Sequence, residues 1–284
     1  MVFIILSVVQ SVLILITFKL FDRYRIDNLQ AIIVNYLVAG AFGFLIAKTE
    51  WTPLSLTGFS WFSTAIVLGV MFICTFFFFA LSAQKVGVAV TSVTSKMSLV
   101  IPIIISVIFW GESLNALRIM GILLAMAAFY LTFIKKEAIS WKAKYTYLPI
   151  LVFAGNGIVD TTMKFADHYF IKDDLVLFLS MVFTTGFTIG MAILTIRLIR
   201  GKTKMSLKPI FGGIFLGMIN FGSTYYMLKA ISVFESSVVF PVTNAAIVGI
   251  SGLIGYFGFR EKLSWINLTG IILAIIAIII IANA

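Results

Sequence analysis

A single cysteine and a single histidine occur in this chain of 284 residues, and charged side chains make up 11% of it. Each scarcity excludes a kind of chemistry. Cys74, inside the aromatic run ICTFFFF, has no partner for an internal disulfide and is an implausible thiolate metal ligand. With one histidine, His168, and the Asp173-Asp174 pair confined to a short link, clustered His and carboxylate ligands of the zinc or calcium kind are missing, so no metal or other cofactor is expected. There is no Gly-rich phosphate loop with a Walker lysine, so ATP is not expected to act directly. A soluble domain carries about 25% charged residues; here 61% of residues are hydrophobic and the mean hydropathy is +1.13. The composition is that of an all-α integral membrane protein. Its first apolar segment, Val2 to Thr17, has neither a basic leader nor a small-residue cleavage site and reads as a retained helix.

The charge that is present is lopsided, with 21 Lys and Arg against 11 Asp and Glu, a net of +10. These cations fall mainly in short links between apolar spans, where they orient helices and meet anionic headgroups, so the expected partners are membrane lipids and not nucleic acid. Ten spans of about 20 residues, each sufficient for a bilayer core, can be marked at 2–20, 28–47, 60–84, 87–109, 114–134, 146–168, 174–198, 207–230, 234–258 and 263–282. The charged link KKEAISWKAK, Lys135 to Lys144, is the natural seam between two five-helix halves, residues 1–137 and 138–284.

Internal repetition supports that seam. A shift of 145 lays Thr17 to Ile26 on Thr162 to Ile171, matching Thr, Lys, Asp, Tyr and Ile; a shift of 149 lays Glu112 on Glu261 and Gly121-Ile on Gly270-Ile. Five is odd, so a second copy enters the membrane from the opposite side. Ten transmembrane helices then form two inverted five-helix repeats, an architecture whose binding site lies near the midplane.

Candidate site residues follow from polar groups at membrane depth. Lys96 sits in the fourth span, TSVTSKMSLVIPIIISVIFWGE, where a charge costs about 2.5–3.5 kcal/mol even on lenient scales. At 100° per residue Thr91, Thr94, Ser95 and Ser98 share one face, Ser92 and Lys96 extend its edge, and Pro102 removes a backbone donor further on. This face should look into protein or water. In the sixth span Asn156, Asp160, Lys164 and Asp167 fall within about 80°. At 1.5 Å per residue Lys96 lies about 13 Å deep and Asp160 about 20 Å, a gap that a lysine stem roughly bridges. Two readings stand for the sixth span: an Asp160–Lys164 pair that satisfies itself, or Asp160 as a cavity carboxylate that carries protons or pairs with Lys96. Asn244 and Thr243 in the ninth span, with Ser236, Ser237 and Pro241, mirror the fourth span, and Asn244 falls within one residue of Lys96 under the shift. Gln10 in the first span and Asn220 in the eighth complete the set. Gly213 and Gly217 on the face of Asn220 read as close-packing contacts. Glu112 and Glu261 read as caps of the helices that follow them.

The segments WGESLNALRIMG and FREKLSWINLTG, with the five-plus-five repeat and polar fourth and ninth spans, resemble the drug/metabolite transporter superfamily, EamA type, over the whole chain. The resemblance implies a multi-pass bacterial inner-membrane transporter, with spans 1, 3, 4, 6, 8 and 9 around a central cavity and spans 5 and 10 outside it. Lys96 and Asp160 depart from the usual pattern. Fifteen of the 21 cations follow odd-numbered spans, which by the positive-inside rule places both termini outside, whereas the resemblance places them in the cytoplasm. The expected function is secondary transport, as an exporter, of a small-molecule solute such as an amino acid or organic acid, with protons as a candidate coupling ion. An intramembrane enzyme acting on lipid or prenyl substrates is the alternative, and it lacks the clustered ligands such chemistry needs.

Overall fold

The computed structural model describes residues 1–47, 50–110, 115–133, 145–171, 175–231, 233 and 236–283. The seam at Lys135 to Lys144, together with Glu112 and Asp173-Asp174, lies outside the described residues, as do the side chains of Asp167, His168, Ser236, Ser237 and Pro241.

All regular secondary structure among the described residues is helical, with no strand among them. The helices are α1 (Val2–Arg23), α2 (Asn28–Ile46), α3 (Phe62–Lys85), α4 (Val88–Met97), α5 (Val100–Trp110), α6 (Ala116–Phe133), α7 (Tyr147–Tyr169), α8 (Leu175–Ile199), α9 (Leu207–Ile231), α10 (Ser236–Leu253) and α11 (Trp265–Ala282). Among the described residues five stretches are long and apolar enough to cross a membrane: α1, α2, α3, Val88–Ile105 and α8. Shorter apolar runs cover Ile119–Thr132, Val242–Gly258 and Trp265–Ile281.

The chain forms two compact units, and both are interleaved in sequence. One comprises Met1–Lys19, Phe78–Ile158 and Gly222–Ala284; the other comprises Leu20–Phe77 and Val159–Phe221. In the first unit α11 packs along α6 and α10, and α10 along α4. Its core joins Ala89, Val93 and Met97 of α4 to Ala125 and Ala128 of α6, Val248 of α10, and Ile271, Ala274, Ala277 and Ile278 of α11. The alanines let the backbones approach, which is how helices gain dispersion contact in a medium where apolar burial alone drives little. α6 and α11 run antiparallel: a Cβ on Gly121 would meet Ile281 at 2.6 Å, and one on Gly270 would meet Thr132 at 2.4 Å.

In the second unit α2 packs antiparallel on α8, with Gly40 against Thr184, Tyr36 against Gly186 and Ile33 against Gly190. A Cβ on Gly213 of α9 would lie 2.5 Å from Val34, and one on Gly217 would lie 2.7 Å from Val38, so these glycines are close-packing contacts against α2.

Helix ends also repeat. α1 closes with Ile26 N–H donating to the Phe21 carbonyl at 2.8 Å, with Arg25 at φ 54°. α7 closes with Ile171 N–H donating to the Ala166 carbonyl at 2.9 Å. Both are the six-to-one bond of a Schellman turn, and they fall on residues that the shift of 145 superimposes.

Candidate functional site

The fourth span is not one helix. α4 stops at Met97 and α5 starts at Val100, and the cause is local. Pro102 has no N–H for the Ser98 carbonyl and its ring crowds that carbonyl. Ser98 O instead accepts from Ile101 N at 2.9 Å, Leu99 N turns back to Lys96 O at 3.4 Å, and the Ser98 hydroxyl donates to Ser95 O at 2.7 Å. Pro102 thus becomes the third residue of α5, where a missing donor is harmless. By contrast α10 runs through Pro241 without a break and ends in a π-helical turn, Ile254–Gly258. The two polar spans therefore differ in backbone although their sequences are similar.

Most of the polar face on α4 is turned into protein. Thr91, Ser92, Thr94 and Ser98 are buried. Thr91 shares a 2.7 Å hydrogen bond with Ser82, and the Ser92 hydroxyl donates to Ile247 O at 3.5 Å. Ser95 and Lys96 are only half buried, at the C-terminal end of α4 where the helix dipole favours a cation. Asn156 of α7 donates from Nδ2 to the Ser95 hydroxyl at 2.9 Å. Ser95 and Asn156 thus meet beside the broken backbone, with Lys96 the next residue along α4.

Two further groups of the first unit carry unused hydrogen-bonding capacity. Gln10 lies over Gly222, where an added Cβ would stand 2.2 Å from its Oε1, and that oxygen is buried without a hydrogen-bond partner. It belongs to a polar α1–α9 seam in which Ser7 donates to Ser223 O at 3.1 Å and Ser11 shares a 2.7 Å bond with the Ser223 hydroxyl. Thr243 of α10 is 2% exposed, and its Oγ1 is likewise without a partner. Asn244 beside it is half buried. Buried polar atoms left unpaired are costly in a membrane and fit a place where water or a solute supplies the missing bond.

The remaining expected residues belong to the second unit. Asn220 donates to Asn35 Oδ1 at 3.1 Å, which makes it a tie between α9 and α2 one turn beyond Gly217. Asp160 and Lys164 are exposed along one line of α7. Tyr147, Leu151, Ile158, Phe165 and Tyr169 are exposed along another, about 140° away. Hydrocarbon can meet the aromatic line at no cost, whereas a carboxylate needs water or a partner. Hence α7 presents two faces of opposite solvent preference.

Sequence reasoning missed one polar cluster. Glu261 does not cap α11, the helix that follows it; Ser264 and Asn267 do, in a reciprocal capping box. The π-helical turn re-aims Glu261 backward, so that its carboxylate accepts from Val88 N–H at 2.7 Å and Ala89 N–H at 3.2 Å, the first amides of α4. Lys19 of α1 stands 3.3 Å from the same carboxylate and 6.0 Å over the Phe259 ring. The available signals were Gly87 directly before α4 and a lysine in the last turns of an apolar span; neither names a partner.

A protein of Haemophilus influenzae described as an uncharacterized protein is 24% identical to this chain over 284 residues, covering 96% of this chain and 95% of its own length. No family model matches the chain.

Proposed function

We propose that this chain is a secondary transporter that exports a small metabolite bearing a carboxylate, such as an amino acid or organic acid. In this reading ten membrane-spanning helices form two inverted five-helix repeats of the drug/metabolite transporter type in a bacterial inner membrane. Support for the duplication comes from equivalent spans lying antiparallel, α2 with α8 and α6 with α11, and from the matching turns at Ile26 and Ile171. The observation that carries the transport reading is the interrupted helix at Ser98–Leu99 with Lys96 and the Ser95–Asn156 pair beside it. Broken helices in membranes expose backbone and helix ends where solutes bind, and an ionisable residue there marks a solute path. Lys96 supplies the counter-charge for the solute carboxylate, and Ser95, Asn156, Gln10, Thr243 and Asn244 supply neutral hydrogen bonds.

The test is tracer counterflow in proteoliposomes with a panel of amino acids, dicarboxylates, nucleosides and organic cations, in parallel with Lys96→Met. A carboxylate solute should exchange in wild type and lose at least tenfold of its rate in the variant, with folding unchanged by gel filtration. Exchange of no solute, or a carboxylate flux indifferent to Lys96→Met, overturns the reading.

A further inference from the structure

The Glu261 carboxylate is bonded from more than one element of the first unit. It receives two backbone amides of α4 and the Lys19 ammonium. Its side chain is 9% exposed and that of Lys19 is 22% exposed. The surroundings are shaped to admit it. Gly87, at φ 135°, would place a Cβ 2.8 Å from the carboxylate, and Gly255 would place one 2.6 Å from Oε2. Lys19 also reaches the Gln84 carbonyl at 3.5 Å, while the Gln84 amide donates to Phe18 O at 2.9 Å, so α1 and the end of α3 are drawn into the same knot. One side chain thereby ties three elements distant in sequence: α1, the start of α4, and the turn after α10.

α4 is ten residues, a rod about 15 Å long. Its first two amides are held by Glu261, its sides pack against α6, α10 and α11, and its far end carries Lys96 and the break at Ser98–Leu99. A short rigid helix tied at one end by charge and jointed at the other by a proline-induced break can pivot as a body, and joints of this kind absorb hinge motions. We propose that Glu261 is a latch: with its carboxylate on Val88, Ala89 and Lys19 the rod is held, and its release lets α4 swing about Ser98–Leu99 and move Lys96. As a gate for solute this rests on the transporter reading; as a latch it does not.

The test needs no solute. In a Cys74→Ser background, single thiols replace Val88, which is fully buried beside the latch, and Ile278, a buried core residue of α11. Each protein is placed in phosphatidylcholine/phosphatidylglycerol nanodiscs, with both faces open to a charged methanethiosulfonate reagent. The thiol at 88 should react at least tenfold faster than the thiol at 278. Adding Glu261→Gln should speed it about tenfold more while the thiol at 278 stays unreactive. Lys19→Met, which removes the cation but leaves the amide bonds, should give a smaller rise, and it stands in if Glu261→Gln does not fold. Equal, slow reaction at 88 and 278, or a rate at 88 unmoved by either variant, overturns the latch; so does unfolding of both variants, which would make the group a static keystone. A null flux assay leaves all of these rates unchanged, so the latch and the transporter reading fail separately.

Discussion

Lys96 and Asp160 are charged residues with different surroundings. Lys96 is half buried at a helix C-terminus, next in sequence to a hydroxyl already engaged by Asn156. Asp160 is exposed on the polar line of α7, away from the aromatic line. A carboxylate so placed is suited to exchange protons with water. Asp160→Asn in proteoliposomes is expected to leave solute exchange intact while abolishing the acceleration of net flux by a pH gradient; a variant that keeps the full pH-gradient dependence removes Asp160 from coupling. The faces on which both residues lie were legible, because helical periodicity fixes direction around an axis. What each side chain meets was not legible. Thr91, Ser92 and Ser98 were expected to look into protein or water, and they look into protein because a hydroxyl from α3, a carbonyl from α10 and a carbonyl one turn back were within reach.

At the scale of the element, one residue ties the end of α6 to the start of α11. Asn267 is fully buried; its amide donates to Leu131 O at 3.2 Å and Thr132 O at 3.0 Å, and its Oδ1 accepts from Ser264 N–H at 2.9 Å. It therefore caps the N-terminus of α11 and satisfies the last carbonyls of α6 together, which holds the antiparallel pair in register. Asn267→Ala removes both functions and strands two carbonyls, and the expected loss is about 2–4 kcal/mol, combining a lost cap with unsatisfied buried acceptors. Denaturant titration in mixed micelles should show that loss, and Ser264→Ala should cost about 1 kcal/mol as a cap alone. A loss no larger for Asn267→Ala than for Ser264→Ala would mean that the clamp on α6 contributes nothing. Pro102 announced a disturbance in the fourth span, yet Pro241 announced the same in the ninth and α10 runs through it. In the fourth span the break carries a bond from the Ser98 hydroxyl to the Ser95 carbonyl, and a serine also stands four residues before Pro241, so the residue identities alone do not separate the two cases.

At the scale of the whole molecule, the two compact units each draw segments from both sides of the proposed seam. Neither residues 1–137 nor residues 138–284 hold a complete unit. Expressed alone, each half is expected to aggregate in fluorescence-detected gel filtration, and coexpressed halves are expected to assemble into a monodisperse species. A half that is monodisperse alone would show that it has a core of its own. Apolar helices were readable from the chain by itself, since the length and polarity of an apolar run are local properties; the matches at offsets of 145 and 149 are the basis on which a repeat is proposed. The tertiary structure alone decided which helices touch and which polar groups satisfy one another. Glu261 and Val88 are 173 residues apart, and no local pattern encodes a bond between them. That bond exists because the π-helical turn, the close approach at Gly87 and Gly255, and the charge on Lys19 converge on one point in space.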